Sequence, residues 1–178
     1  AGFGLPGRYA SASWAEHAAS LQVLVTAVCE LCWRFAPAME AAGHGRILNV
    51  ASLAGLVPAT AGHTLYGATK AWLIRFSETL DQESRPRGVF VTALCPGMTY
   101  TEFHDVNGMR EKVSQLPKGI WLTSAQVAKL AVDAVEAGRP RILTGRTNKL
   151  LAALSKYLPD RLASALISSR SKDFRDAD

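Results

Sequence analysis

The sequence predicts an α/β domain with a parallel β-sheet covered by helices on both faces, and three observations lead to that class. Two short runs, residues 46–50 and 89–95, are rich in branched apolar residues and closed by turn residues, as strands buried on both faces are. Stretches with helical periodicity alternate with them. A composition of 48% hydrophobic and 20% charged residues over 178 positions suits one core-forming domain.

The elements follow in order. Residues 1–11 are glycine-rich and turn-like, and Ser13-Trp14-Ala15-Glu16 then has the Ser-x-x-Glu form of a capping box. Apolar positions recur at Val23, Ala27, Leu31 and Phe35, predicting a long helix that ends near Met39, before Gly43 and Gly45. Arg46-Ile47-Leu48-Asn49-Val50 reads as a strand stopping near Ser52, and residues 54–64, with two glycines and a proline, as a loop. A second helix is expected over 66–83, with Ala71, Leu73, Ile74 and Leu80 on its apolar face, until Gly88 breaks it. Residues 89–95 form the next strand, closed by Pro96-Gly97. Residues 98–122, with Gly108, Pro117 and Gly119, are irregular and long enough for a functional lid. Thr123 or Ser124 caps a helix over 125–136, and residues 140–143 make a short third strand. Three strands form a narrow sheet with an open parallel edge, so the sheet reads as incomplete.

The chain carries a net charge of +5, and the whole excess lies in residues 139–178, where 9 Lys/Arg face 4 Asp/Glu. Residues 144–178 therefore read as a basic, Leu-rich helical extension, with Leu150, Leu151, Leu154, Leu158, Leu162 and Leu166, broken at Pro159. Such a segment suits a solvated face, packing over a substrate cleft or contact with another subunit; a membrane surface is the weaker reading and nucleic acid is not expected. No apolar run reaches the roughly 18 to 20 residues of a membrane span, and no charged-then-apolar leader opens the chain. Three cysteines, an odd number, suit a reducing compartment, so a cytoplasmic protein with free thiols is expected.

Tyr66 and Lys70 stand four apart on the second expected helix, so both side chains leave the same face. A nearby cation favours a phenolate and lowers a tyrosine pKa from about 10, which a general acid/base at neutral pH requires. Alone, Tyr-x-x-x-Lys is an ordinary surface pair. Its setting is not ordinary: Ser52 ends one expected strand and Pro96-Gly97 ends the next, and active-site groups of open α/β sheets gather at strand carboxyl ends.

With those residues in view, the sequence resembles the short-chain dehydrogenase/reductase family from residue 1 to about residue 143. Asn49-Val50-Ala51-Ser52-Leu53-Ala54-Gly55 is similar to its serine segment and Tyr66-Gly67-Ala68-Thr69-Lys70-Ala71 to its tyrosine–lysine helix. Cys95-Pro96-Gly97-Met98-Thr99-Tyr100-Thr101 looks like its nicotinamide-side loop, and Ala1-Gly2 like the end of its Asn-Asn-Ala-Gly segment. The resemblance implies a Rossmann-like three-layer sandwich, of which residues 1–178 would be a single partial domain, the C-terminal part of a doubly wound fold. It implies hydride transfer between NAD or NADP, with NADP slightly ahead, and a small carbonyl or alcohol substrate. Tyr66 would exchange the proton with the substrate oxygen and Ser52 would hydrogen-bond that oxygen. Lys70 would hold the ribose hydroxyls and lower the Tyr66 pKa. Gly2, Pro96, Gly97, Met98, Thr99 and Thr101, with Tyr66 and Lys70, would line the cofactor. A homo-oligomer through the long helix and the Tyr66 helix is also implied.

The sequence departs from the family in three places. Leu24 stands where the family's relay asparagine is usual, and leucine cannot hydrogen-bond, so slower turnover is expected. Ser52 and Tyr66 are 14 positions apart, one more than usual, which a longer loop near residues 60–63 absorbs. Gly2-Phe3-Gly4-Leu5-Pro6-Gly7 spells G-x-G-x-x-G, but no strand can precede it and Pro6 sits badly in such a turn, so it is not read as a phosphate loop. The expectation is a fragment without its phosphate-binding glycines and cofactor-selecting residue, which binds a dinucleotide poorly. The alternative is a catalytically silent, truncated dehydrogenase-like interaction protein.

Other candidates are weaker. Cys29-Glu30-Leu31-Cys32 has C-x-x-C spacing but no second ligand pair, so packed helix cysteines and no metal site are expected. His17, His44, His63 and His104 do not cluster, though His104 follows the nicotinamide-side loop. A serine hydrolase built on Ser52 would need the Gly-x-Ser-x-Gly elbow, which is missing.

Overall fold

The capping box expected at Ser13 forms. In the computed structural model, which describes residues 2–62, 64–102 and 118–171, the Glu16 N–H donates to Ser13 Oγ at 3.3 Å and the Ser13 N–H donates to Glu16 Oε2 at 2.7 Å. Helix α1 (Trp14–Leu21) passes into a π-helical segment, Gln22–Thr26, and on into α2 (Ala27–Ala41). The helix thus runs two residues past Met39 and tolerates Pro37. Apolar spacing foreshadowed the helix but not its π segment, because one extra residue in a turn leaves no mark in so short a pattern. By length and composition the stretch Trp14–Ala41 could cross a bilayer. Its buried residues are His17, Ser20, Leu24, Cys32 and Ala36, and α2 packs on the sheet.

Strands β1 (Gly45–Val50) and β2 (Val89–Cys95) pair in parallel, with Gly45 opposite Val89 and Val50 opposite Leu94. Between them runs α3 (Thr64–Ser84), which starts two residues before Tyr66 and is preceded by a 3-10 turn at Leu53–Gly55. The ends of the expected irregular segment meet: β3 (Thr99–Tyr100) pairs with β4 (Leu122–Thr123), and Tyr100 stacks on Trp121 at 4.6 Å between ring centroids. The lid reading and His104 fall largely on residues 103–117, outside the described residues. Thr123 caps α4 (Ser124–Glu136) in a second capping box with Gln126. β5 (Arg141–Leu143) then joins β2 in parallel, and the sheet order is β1-β2-β5.

Alternation along β2 builds three layers. Ala93 and Cys95 pack with Ala51, Leu73 and Ile74 beneath α3, with Val28 of α2 alongside. Leu94 packs with Val127 and Ala131 of α4 on the opposite face. The extension folds as α5 (Arg146–Tyr157) and α6 (Asp160–Ser171), separated at Pro159 as the sequence indicates.

Candidate active site

Ser52 leaves the carboxyl end of β1 with extended backbone, and its Oγ accepts the Ala54 N–H at 3.1 Å, which starts the 3-10 turn. That turn lies hard against α3. A Cβ on Gly55 would overlap the Lys70 carbonyl and the Ala71 nitrogen, so only glycine lets the serine turn settle on the helix at this height. The consequence is local and chemical: the Ser52 side chain comes close enough to Tyr66 to act on its phenol.

Lys70, one turn further along α3, is buried and donates from Nζ to the Val50 carbonyl at 2.8 Å. Its Nζ lies 5.6 Å from the centre of the Tyr66 ring. A buried relay sets the helix against the strand: Asn49 Nδ2 donates to Ser77 Oγ at 3.0 Å, and Ser77 donates to the Leu73 carbonyl at 2.7 Å. Ser52, Tyr66 and Lys70 are therefore gathered at one end of the sheet.

The electrostatics differ from the expectation for tyrosine. Burial pushes the Tyr66 phenol above 10, and the Ser52 side chain opposes that rise only in part. The expected depression by Lys70 is absent; the Lys70 ammonium donates to Val50, and burial pulls its own pKa down to about 8. The thiol of Cys95 nearby is pushed up to about 12 by burial and stays protonated.

The loop after β2 lies beside this trio. The Pro96 carbonyl accepts the Leu53 N–H at 2.8 Å, which joins it to the serine turn. Thr99 Oγ1 donates to the Gly97 carbonyl at 3.1 Å, and the Met98 carbonyl accepts the Leu122 N–H at 3.1 Å. Thr101 is half-buried just past β3. Gly2 lies against Leu24, which is buried in the π segment. Cys32 is buried against Asn49 and Cys29 is half-buried on the same helix. His17 is buried under Tyr9, donating from Nε2 to its carbonyl at 2.8 Å, and His44 is exposed, while His63 lies outside the described residues. One participant escaped the sequence reading: Asn148 of α5, buried against Gly97. Nothing in an amphipathic pattern marks an asparagine that packs on a glycine from another element.

The family model described as short chain dehydrogenase matches residues 1–112. The chain belongs to the short-chain dehydrogenase family. It is 31% identical over 173 residues to the ketoacyl reductase HetN of a Nostoc species, covering 97% of this chain and 58% of that relative. Among solved structures, a short-chain dehydrogenase from Sphingobium yanoikuyae in complex with NADPH superposes with a TM-score of 0.73 at 26% identity, covering 100% of this chain and 64% of that one. A short-chain dehydrogenase/reductase from Burkholderia phymatum in complex with NAD gives 0.75 at 26% identity, over 86% of this chain and 62% of that one. The Rossmann-like fold with a small, open parallel sheet agrees with these structures. The chain spans between 44% and 60% of the length of the first curated relatives it matches.

Proposed function

We propose that this short-chain dehydrogenase chain carries the proton-transfer half of a nicotinamide-dependent oxidoreductase that interconverts a carbonyl and an alcohol. The observation that carries this reading is the gathering of Ser52, Tyr66 and Lys70 at one end of the sheet, with the Lys70 Nζ 5.6 Å from the centre of the Tyr66 ring. A bound nicotinamide dinucleotide supplies or takes the hydride. The residues present fit its nicotinamide end: Lys70 uses a donor on Val50 and, as an ammonium, has two more for a ribose diol. The family resemblance assigns the neighbouring cofactor contacts to Gly97, Met98, Thr99 and Thr101, on the loop that Pro96 joins to the serine turn. Residues 1–178 contain no Thr-Gly-x-x-x-Gly-x-Gly string, so they do not account for the pyrophosphate.

In this reading Ser52 holds the substrate oxygen and Tyr66 passes it a proton as charge develops there. With its pKa raised by burial, Tyr66 rests as the protonated acid, the form that reduction of a carbonyl consumes. Lys70 keeps a positive charge beside that proton transfer. The protein is read as cytoplasmic and self-associating through α2 and α3, where a groove of about 390 Å³ is lined by Cys29, Trp33, Pro37, Phe76 and Leu80 among others.

The assay is oxidation of NADPH or NADH with a panel of ketones, beginning with a ketoacyl compound because HetN is named a ketoacyl reductase. Slow turnover at high dinucleotide concentration is expected, and Tyr66→Phe is expected to lower it by at least about 100-fold with an unchanged circular dichroism spectrum. Equal rates for the two proteins would refute the assignment. The silent-interaction reading is favoured by Leu24, which fills the relay position with a buried hydrocarbon. Self-association without dinucleotide turnover would support it.

A further inference from the structure

Asn148 belongs to the first turn of α5, in the basic extension, yet it is buried. Its Nδ2 donates to the Thr144 carbonyl at 2.8 Å, tying that turn to the end of β5. The Thr144 N–H in turn donates to the Cys95 carbonyl at 3.3 Å. The carboxamide therefore occupies a slot walled by two strand ends. Two glycines make the slot. A Cβ on Gly97 would overlap Nδ2, Cγ and Oδ1 of Asn148, and one on Gly145 would lie 2.7 Å from Nδ2.

From Gly97 the contacts continue to the reacting groups. The Pro96 carbonyl accepts from Leu53, the residue after Ser52, and the Gly97 carbonyl accepts from Thr99. The loop is thus held on one side by the serine turn and on the other by Asn148.

We propose that Asn148 is a positioning residue: by packing on Gly97 it sets the place of the Pro96-Gly97-Met98-Thr99 loop, and through that loop the nicotinamide end of the cofactor and Ser52. The proposal rests on the oxidoreductase reading above. It makes the C-terminal extension part of the active-site framework rather than an appendage. Asn148 touches no reacting atom; it acts through Gly97. Interiors packed at crystal-like density pass such a displacement on, and a shift of about 1 Å at a reacting centre can cost on the order of 100-fold.

The test is a cycle of Asn148→Gly, Gly97→Ala and the double variant, followed by steady-state kinetics with varied dinucleotide and by thermal melting. Asn148→Gly is expected to raise KM for the dinucleotide and to lower kcat with it, together about tenfold in kcat/KM. Gly97→Ala alone is expected to melt lower and to lose more of kcat/KM. The double variant should recover the melting temperature, because the methyl group at position 97 then enters the space the carboxamide leaves. Equal damage from Gly97→Ala in both backgrounds overturns the proposal, as does an Asn148→Gly variant that melts lower with an unaltered KM. If the unsubstituted protein neither binds nor turns over a dinucleotide, the oxidoreductase reading falls and the positioning role with it. Melting coupling in that case would show packing between Asn148 and Gly97 and nothing more.

Discussion

Tyr66 and Lys70 leave successive turns of α3, but burial acts on them in opposite directions. It raises the phenol, whose charged form is the anion, and lowers the ammonium, whose charged form is the cation. Their spacing was legible in the sequence; the sign of the tyrosine shift was not, because it depends on how much water the folded chain removes from each group. With Lys70 at about 8, the ammonium is lost as pH rises through that value. Carbonyl reduction is therefore expected to be level below about pH 8 and to fall above it, with the descending limb displaced upward in Lys70→Arg, as a pH–rate profile would show. The same shift bears on stability. Between about 8 and 10.5 the unfolded chain holds the lysine proton that the folded chain has released, so stability from this group rises with pH across that window. The stability of the unsubstituted protein relative to Lys70→Met should rise from pH 8 to pH 10.5 in denaturant titrations; a constant difference would contradict a depressed Lys70.

Among the elements, the helix starts at Ser13 and Thr123 and the strands at 45–50 and 89–95 followed the sequence closely, because capping boxes and apolar runs are local signals. Contacts between elements were not legible. Asp81 is a charged residue on α3, yet it is buried, and its Oδ1 accepts the Val91 N–H at 2.9 Å. Its Oδ2 accepts from Arg85 Nη2 at 2.7 Å, while another bond from Nη2 reaches the Gly138 carbonyl. One carboxylate so links α3 to β2, and its arginine links α3 to the turn after α4. Asp81→Ala leaves a buried amide unpaired and is expected to cost about 2–3 kcal/mol, read as a lower urea midpoint with an unchanged slope. A shift under about 0.5 kcal/mol would mean that water or another group replaces the carboxylate. The Ser52 turn shows the same dependence on contact, since Gly55 looks like any loop glycine until α3 is seen to press on it.

On the scale of the whole molecule, the three-stranded sheet gathers Ser52, Tyr66, Lys70 and the Pro96-Gly97 loop at one end, and large apolar side chains remain exposed on α2. Trp33 is 73% exposed and Phe35 56%, and Trp33 borders the groove shared with α3. These residues underlie the proposed self-association. Trp33→Glu is expected to shift the protein toward monomer in sedimentation velocity, and an unchanged distribution would place any interface elsewhere. What the sequence by itself determined is the α/β class, the order and type of the principal elements, and the motif residues Ser52, Tyr66 and Lys70. The class and the elements depend on periodicity and turn chemistry within one segment, and the motif residues on the resemblance of their segments to the family's. Only the tertiary structure decided that Tyr66 rests protonated, that Lys70 binds the Val50 carbonyl, and that Asn148 of the extension presses on Gly97. Those outcomes depend on burial and on contacts between segments far apart in the chain, where a residue's chemistry is set by its neighbours in space and not by its neighbours in sequence.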